Sequence, residues 1–231
     1  MKQIKNFETK HNEEIDEKFH QLNLGNIGNV VYWYKFFEMI RNVPGDIVEC
    51  GVGRGRSLLI ISALNFLLDK EEGGQRKIYG YDSFELGFPE PTKEDVSFRN
   101  PKKGEWSKSP SGKYYYVKDF IKYVLSSGDI PLDKIQLVLN EGFFGDSLKH
   151  HPSDQIAILH VDGDLYQSYK DTLNYLFHNV SSGGIVIFDD FVAIDNEDRF
   201  QGARLATKEF LGKEYDNLQL SVAGNYYYIK K

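Results

Sequence analysis

The sequence predicts an α/β fold: a mostly parallel sheet of seven strands, helices on both faces, and an antiparallel C-terminal hairpin. Three observations predict it. Short apolar runs rich in Ile, Val, Leu and Tyr recur along the chain and read as buried strands. Longer segments with helical spacing alternate with them, as in a parallel sheet covered on both sides. The last two runs flank Ala223-Gly224-Asn225, a hairpin signal.

Taken in order, residues 1–43 form an N-terminal helical arm. Residues 1–23 are charged and weakly periodic, suited to packing or assembly rather than chemistry. Val30–Ile40 reads as a helix buried over most of its surface, and Pro44-Gly45 ends it. Asp46–Cys50 is the first strand, followed by a glycine turn and a helix from about Arg56 to Leu68. Lys77–Tyr81 is the second strand. Residues 85–116 form a long insertion rich in Pro, Gly and Lys, and a loop of that length in a compact domain is usually functional. Val117–Ser126 is helical and Ile135–Leu139 is the third strand. Ile156–Val161 is the fourth, with a helix over Gln167–Asn179 after it. Ser182-Gly183-Gly184 turns the chain into the fifth strand, Ile185–Phe188. A helix over Gly202–Leu211 leads to the hairpin strands Leu218–Val222 and Tyr226–Ile229. With 231 residues and no internal repeat, the chain makes a single domain over 1–231.

Composition narrows the function. Apolar residues at 41% and charged residues at 27% suit a soluble globular protein. A net charge of −6 argues against a nucleic-acid surface, which needs a basic excess to displace counterions. It leaves room for an acidic pocket that holds a cation. One cysteine, Cys50, makes neither an internal disulfide nor a thiolate metal cage, and at a buried strand end it is expected to be inert. Leu58–Leu68, the most apolar stretch, is too short for a membrane span. Glu8, Glu13, Glu14, Asp16 and Glu17 stand where a signal peptide would carry an apolar core. A cytoplasmic location, with no membrane and no nucleic acid among its partners, is therefore expected.

In such folds ligands sit outside the carboxyl ends of the strands. The first strand ends in Glu49-Cys50-Gly51-Val52-Gly53-Arg54-Gly55. The glycines permit a tight turn and close approach of backbone to ligand. Their spacing lacks the register of dinucleotide enzymes. A carboxylate at Glu49 would repel a pyrophosphate on the helix N-terminus and favour a cationic ligand. S-adenosylmethionine (SAM) carries an ammonium and a sulfonium and no phosphate. The second strand ends in Tyr81-Asp82-Ser83, and Asp82 is placed to accept hydrogen bonds from ribose hydroxyls or to cap a helix.

The fourth strand ends in His160-Val161-Asp162-Gly163-Asp164 and the fifth in Asp189-Asp190. If the two strands are neighbours, about 4.8 Å apart, their ends converge. Four crowded carboxylates repel one another unless a cation is present, and hard divalent ions such as Mg²⁺ or Ca²⁺ prefer oxygen ligands. Asp162, Asp189 and Asp190 are the candidate metal ligands, with Mg²⁺ favoured, and Asp164 is the candidate general base. His160 shares a face with Asp162 and is read as a satisfied core histidine.

These stretches resemble one family, the SAM- and metal-dependent O-methyltransferases typified by macrocin O-methyltransferase. The resemblance is carried by Gly45–Val52, Asp82-Ser83-Phe84-Glu85, Phe88-Pro89-Glu90-Pro91, Gly142-Phe143-Phe144, Val161–Tyr166 and Gly183–Phe191, in order. It implies a Rossmann-like class I methyltransferase sheet of seven strands. It implies a donor pocket of Glu49, Gly51, Gly53, Ser57, Asp82, Ser83, Gly142, Phe143 and Asp162. It also implies a divalent ion on Asp162, Asp189 and Asp190, and Asp164 as the catalytic base. The implied acceptor is a hydroxyl of a sugar or polyhydroxylated natural product, and the length of 85–116 with its aromatics reads as a lid whose rings stack on a sugar or an aglycone. A homodimer or higher homo-oligomer is expected. Three alternatives are a metal-dependent glycosyltransferase using Asp162-x-Asp164, a nicotinamide oxidoreductase, and a non-catalytic nucleoside-binding module. Glu49 beside the glycines argues against the first two, and the four retained acids against the third.

Overall fold

A computed structural model describes residues 22–72, 76–152, 155–192 and 199–231. Seven strands form one sheet: β1 (Asp46–Cys50), β2 (Ile78–Asp82), β3 (Leu137–Glu141), β4 (Ile156–Val161), β5 (Val180–Val192), β6 (Gln219–Leu220) and β7 (Asn225–Ile229). Their spatial order is β3-β2-β1-β4-β5-β7-β6, with β1 to β5 parallel and β7 antiparallel to both neighbours. The order reverses between β1 and β4, the switch point where open α/β sheets bind ligands. The predicted class I methyltransferase sheet is the one observed.

The period-2 geometry of a strand explains the two cores. Ile47, Ile158, Ile185 and Ile187 point to one face. There they meet α1 (Leu24–Met39), α2 (Arg56–Glu72) and α3 (Lys118–Ser127). Val48, Leu159, Val161, Val186 and Phe188 point to the other face. After the one-turn helix α4 (Phe144–Ser147), that face is covered by α5 (Tyr166–Leu176) and α6 (Gln201–Leu211).

Four expectations change. The arm's first residues, 1–21, lie outside the described residues. The predicted Val30–Ile40 helix begins at Leu24, where the Asn23 side chain accepts from the Asn26 amide at 2.9 Å and caps it. It buries one face only, through Tyr32, Trp33, Phe36 and Phe37, while Val30, Val31, Tyr34 and Met39 are exposed. Third, β3 starts two residues later than predicted, so Glu141 ends the strand and Gly142 follows it directly. Fourth, Ser182-Gly183-Gly184 is no turn into a strand. It lies within β5, where Val180 pairs with Ile156 and Ile185 with Ile158, so β5 carries extra residues against β4.

Residues 85–116 are tied to the body. Asp95 Oδ1 accepts from the Tyr166 amide at 2.7 Å and so caps α5 from 71 positions away. Its Oδ2 accepts from the Thr92 amide and hydroxyl at 2.8 and 2.9 Å. Of the aromatics in this segment, Tyr114 and Tyr116 are buried against Phe120, and Phe98 is exposed. Only Phe88 and Trp106 reach the main cavity.

Candidate active site

A cavity of about 870 Å³ opens at the carboxyl ends of β2, β1, β4 and β5. Its wall includes Gly51, Gly53, Ser57, Asp82, Ser83, Gly142, Phe143, Asp162, Asp164, Asp189 and Asp190. Every predicted site residue except Glu49 is on that wall.

The glycine turn follows from the sheet. Gly51 has φ +102, and its amide donates to the Tyr81 carbonyl at 2.8 Å. A Cβ there would lie 1.7 Å from the Asp162 carbonyl oxygen, so only glycine lets β1 pass β4 at this point. Gly53, at φ +51, has open space where its Cβ would be. Its amide donates to Asp82 Oδ2 at 2.9 Å, and the Phe84 amide donates to Asp82 Oδ1 at 2.5 Å. Asp82 thus ties the β1 and β2 loops together and caps the turn Phe84–Leu86. Burial pushes its carboxyl up, and the bonds from Gly53 and Phe84 partly offset this. Gly142 is set at the end of β3 by its amide bond to the Asp82 carbonyl, 3.0 Å long.

Glu49 differs from the expectation of a group facing the ligand. It is fully buried behind the cavity wall and accepts from the Ser57 hydroxyl and from His160 Nδ1, the latter at 3.1 Å. Its level in the sheet explains it: Glu49 lies one residue short of the end of β1, opposite Gly80 and His160, two positions below the Asp82 and Asp162 that share its face and reach the rim. Its Oε2 has no hydrogen-bond partner among the described residues.

The strands β4 and β5 are neighbours, and their four acids converge. Ligand atoms of Asp162, Asp164 and Asp190 lie within 4.8 Å of one another, and so do those of His160, Asp162 and Asp189. β4 and β5 stop pairing at Val161 and Phe188, and β5 slips against β7 between Phe188 and Val192. Irregular pairing of this kind re-aims side chains, here Asp189 and Asp190. Asp164 sits in the left-handed region at φ 58, and its amide donates to Asp190 Oδ2 at 2.8 Å. Burial and then the charges of Asp189 and Asp190 push the Asp162 carboxyl well above the ordinary carboxylate range. Burial and then Asp190 do the same for Asp164. Burial and then Asp189 push Asp190 to about 6.

Sequence reasoning missed two residues. His160 is buried, as a core histidine is, but its Nε2 lies 3.5 Å from Asp189 Oδ1 while Nδ1 meets Glu49. Burial alone would lower its pKa; Asp189 and Glu49 outweigh that and raise it well above the usual value. The usable signal was its parity with Asp162. Tyr169 is also fully buried, donating to the Val161 carbonyl at 2.9 Å and accepting from the Asp190 amide at 3.3 Å. Nothing short of the fold places it behind the rim.

Comparisons with known proteins identify the family. A family model described as Macrocin-O-methyltransferase (TylF) matches residues 37–214. Over 155 residues the chain is 34% identical to demethyldecarbamoylnovobiocin O-methyltransferase of Streptomyces niveus, covering 65% of this chain and 54% of that protein. It is 28% identical over 153 residues to mycinamicin III 3''-O-methyltransferase of Micromonospora griseorubida, 64% of this chain and 56% of that protein. The chain thus spans about half the length of the curated relatives it matches. The solved structure of the O-methyltransferase NovP superposes with a TM-score of 0.67 at 27% identity, over 87% of this chain and 79% of that one. Calicheamicin methyltransferase CalS11 shares the fold, with a TM-score of 0.73 at 24% identity over 89% of this chain and 80% of that one. The family match spans most of the folded unit, and the chain belongs to the macrocin-O-methyltransferase family.

Proposed function

We propose that this protein is a SAM-dependent, divalent-metal-dependent O-methyltransferase acting on a hydroxyl of a sugar or polyhydroxylated natural product. One observation carries the reading: a single cavity joins the glycine turn and Asp82 to four acids from two adjacent strand ends. The names of the matched relatives, O-methyltransferases of novobiocin and mycinamicin chemistry, support it.

SAM would supply a methyl group on a sulfonium. The donor side comprises Gly51, Gly53, Ser57, Asp82, Ser83, Gly142, Phe143 and Asp162, with Glu49 holding Ser57 from behind. Both Asp82 oxygens already accept backbone amides and keep further lone pairs for ribose hydroxyls.

The acid rim fits a divalent ion. Its donors are all-oxygen and hard, and burial, together with the repulsion of neighbouring acids, pushes the Asp162 and Asp190 carboxyls up when no cation offsets it. Asp162, Asp189 and Asp190 would hold the ion, which supplies positive charge beside the acceptor oxygen, worth several kcal/mol. Asp164 lines the cavity next to this group and takes the proton of the acceptor hydroxyl. Its backbone is fixed by Asp190, so the carboxylate is pre-positioned. Residues 85–116 act as a lid, with Phe88 and Trp106 offering rings to a sugar. The exposed apolar side of α1 suits a homodimer, and light scattering would test it. A cytoplasmic location is part of the same proposal. Among the described residues no helix is long and apolar enough to cross a membrane.

The test is calorimetric titration with SAM, followed by methyl transfer assayed against a panel of sugars with Mg²⁺ and with EDTA. Tight SAM binding and EDTA-sensitive turnover are expected. Failure to bind SAM would overturn the donor, and turnover surviving thorough chelation would overturn the metal.

A further inference from the structure

We infer that Asp95 is a positioning residue for the proposed methyl transfer. From the insertion 85–116 it holds the starts of both helices that follow the acid-bearing strand ends, and so sets Asp164 against Asp189 and Asp190. This rests on the methyltransferase reading and deepens it.

Asp95 closes the short turn Lys93–Asp95 and is only 4% exposed. A buried carboxylate is costly unless its oxygens are satisfied. Here the donors are the Tyr166 and Thr92 amides and the Thr92 hydroxyl, none of them charged. The positive end of a helix takes the place of a cation, since Tyr166 is the first residue of α5. A second helix closes on the same oxygen. A Cβ on Gly202, in the first turn of α6, would lie 2.1 Å from Asp95 Oδ1 and 3.0 Å from the Tyr166 Cβ. Glycine at 202 is what lets the two helix starts meet over one carboxylate.

Each helix start leads back to the acid rim. α5 follows β4, and Leu165 alone separates its first residue from Asp164. Asp164 is left-handed, at φ 58, and the Leu165 amide donates to the Gly163 carbonyl at 2.6 Å, so this connection is a tight turn with little slack. α6 follows β5, which carries Asp189 and Asp190. The insertion holds the approach to α6 at two further points. The Ser97 hydroxyl donates to the Arg199 carbonyl at 2.8 Å, and the Gln201 side-chain amide donates to the Val96 carbonyl. At the rim the Asp164 amide donates to Asp190 Oδ2 at 2.8 Å. Asp190, Asp164, Tyr166, Asp95 and Gly202 thus stand in one line of contacts from the rim to the insertion.

Docking of 92–97 therefore favours the assembled rim. By linkage, an ion on the rim must favour docking by the same factor. A helix cap with a structural role alone carries no such coupling.

Hydrogen exchange read by mass spectrometry and Mg²⁺ calorimetry test this, both on protein loaded with S-adenosylhomocysteine. In the parent, Mg²⁺ should slow exchange of the amides of 92–97 about fivefold or more. Asp95→Ala should lose that response and bind Mg²⁺ about fivefold or more weakly. Asp95→Asn, which keeps an oxygen for the Tyr166 amide, should recover most of the affinity. With SAM, Mg²⁺ and the panel of sugars, Asp95→Ala should lower kcat by up to about 10²-fold and leave SAM affinity within about twofold. Tyr166→Phe is the control: it loses the 2.6 Å hydroxyl bond to Glu209 that joins α5 to α6, and should keep the parent's Mg²⁺ affinity and exchange response. The inference fails if Mg²⁺ leaves exchange at 92–97 unchanged in the parent, if Asp95→Ala binds Mg²⁺ as the parent does, or if Tyr166→Phe weakens Mg²⁺ as much as Asp95→Ala. The parent experiment needs no variant and decides alone where Asp95→Ala does not fold. A parent that binds no S-adenosylhomocysteine or no Mg²⁺ overturns the proposed function together with this inference; one that binds both without the exchange response overturns this inference alone.

Discussion

Replacing Gly51 by alanine tests how the donor and acid halves of the site are joined. The added Cβ would lie 1.7 Å from the Asp162 carbonyl oxygen, where ordinary contact begins at 3.4 Å. One backbone must therefore retreat by the difference, about 1.7 Å. Neither can do so freely. The Gly51 amide is bonded to Tyr81 and the Asp162 amide to Cys50, at 2.8 and 2.9 Å. A non-glycine residue at φ +102 adds its own strain. Backbone strain of about 1–3 kcal/mol and overpacking of about 1–3 kcal/mol give a loss of roughly 2–6 kcal/mol. That is a large share of a typical 5–15 kcal/mol stability. Gly53→Ala is the control. Its φ of +51 costs about 1 kcal/mol, and its Cβ meets nothing within 4 Å, so the fold should survive while the methyl intrudes on the donor side. Urea unfolding measures the first quantity and SAM calorimetry the second. A Gly51→Ala protein that loses less than about 1 kcal/mol and binds SAM normally would refute the close crossing of β1 and β4 at the site.

Asp164→Asn should lower kcat by about 10²–10⁴ and leave SAM affinity within about twofold, as read by initial rates and calorimetry; retained turnover would remove the residue as base. Mg²⁺ should raise the melting temperature, and EDTA should reverse the rise. The pH sense follows from Asp190, whose folded pKa of about 6 exceeds the unfolded value of roughly 3.9. The metal-free fold then binds more protons than the unfolded chain, so its stability falls as pH rises from about 4 through about 6. The Mg²⁺ effect should accordingly be larger at pH 7.5 than at pH 5, and an equal effect at both would contradict the crowded-acid account. Asp95→Ala removes a buried carboxylate that holds the Tyr166 and Thr92 amides. It should cost about 1–3 kcal/mol in urea and open 85–116 to trypsin, whereas SAM with acceptor should protect that segment in the parent protein.

The alternation of strands and helices was legible because β1, β4 and the middle of β5 are buried on both faces and so read as unbroken apolar runs. The acid pairs were legible because they end those runs. The failures share one cause, dependence on what lies opposite in space. Glu49 and Asp82 both stand at strand ends and share a face by register, yet Glu49 pairs beside Gly80, two positions below Asp82, so one lies under the helices and the other reaches the cavity. Ser182-Gly183-Gly184 has turn composition, but β7 supplies partners that keep it in the sheet, through bonds of Gly183 and Gly184 with Lys230. Tyr114 and Tyr116 look like ligand aromatics until Phe120 of α3 is placed beside them. Asp95 caps a helix 71 positions on, a partnership no local pattern encodes.

The buried pair behind the cavity gives the site a mechanical logic. In the β1–β4 register Glu49 stands opposite His160. From there Glu49 reaches Ser57 on the donor wall, and His160 reaches Asp189 on the acid rim. Trp33 of α1 packs edge-on against the imidazole at 4.9 Å and keeps water out. A lone buried carboxylate here would be costly, and so would a lone imidazolium; side by side each offsets the other. Two polar residues in otherwise apolar strands therefore connect the methyl-donor half to the acid half without lying in either. The link runs through two side chains and no loop, a hydrogen bond of 3.1 Å between Glu49 and His160 and a longer approach of 3.5 Å from His160 to Asp189. If the proposed methyl transfer holds, His160→Gln should loosen the placement of Asp189 relative to Ser57 and lower kcat with little change in SAM affinity, read by initial rates and calorimetry; unchanged kcat would remove the pair as a positioning device.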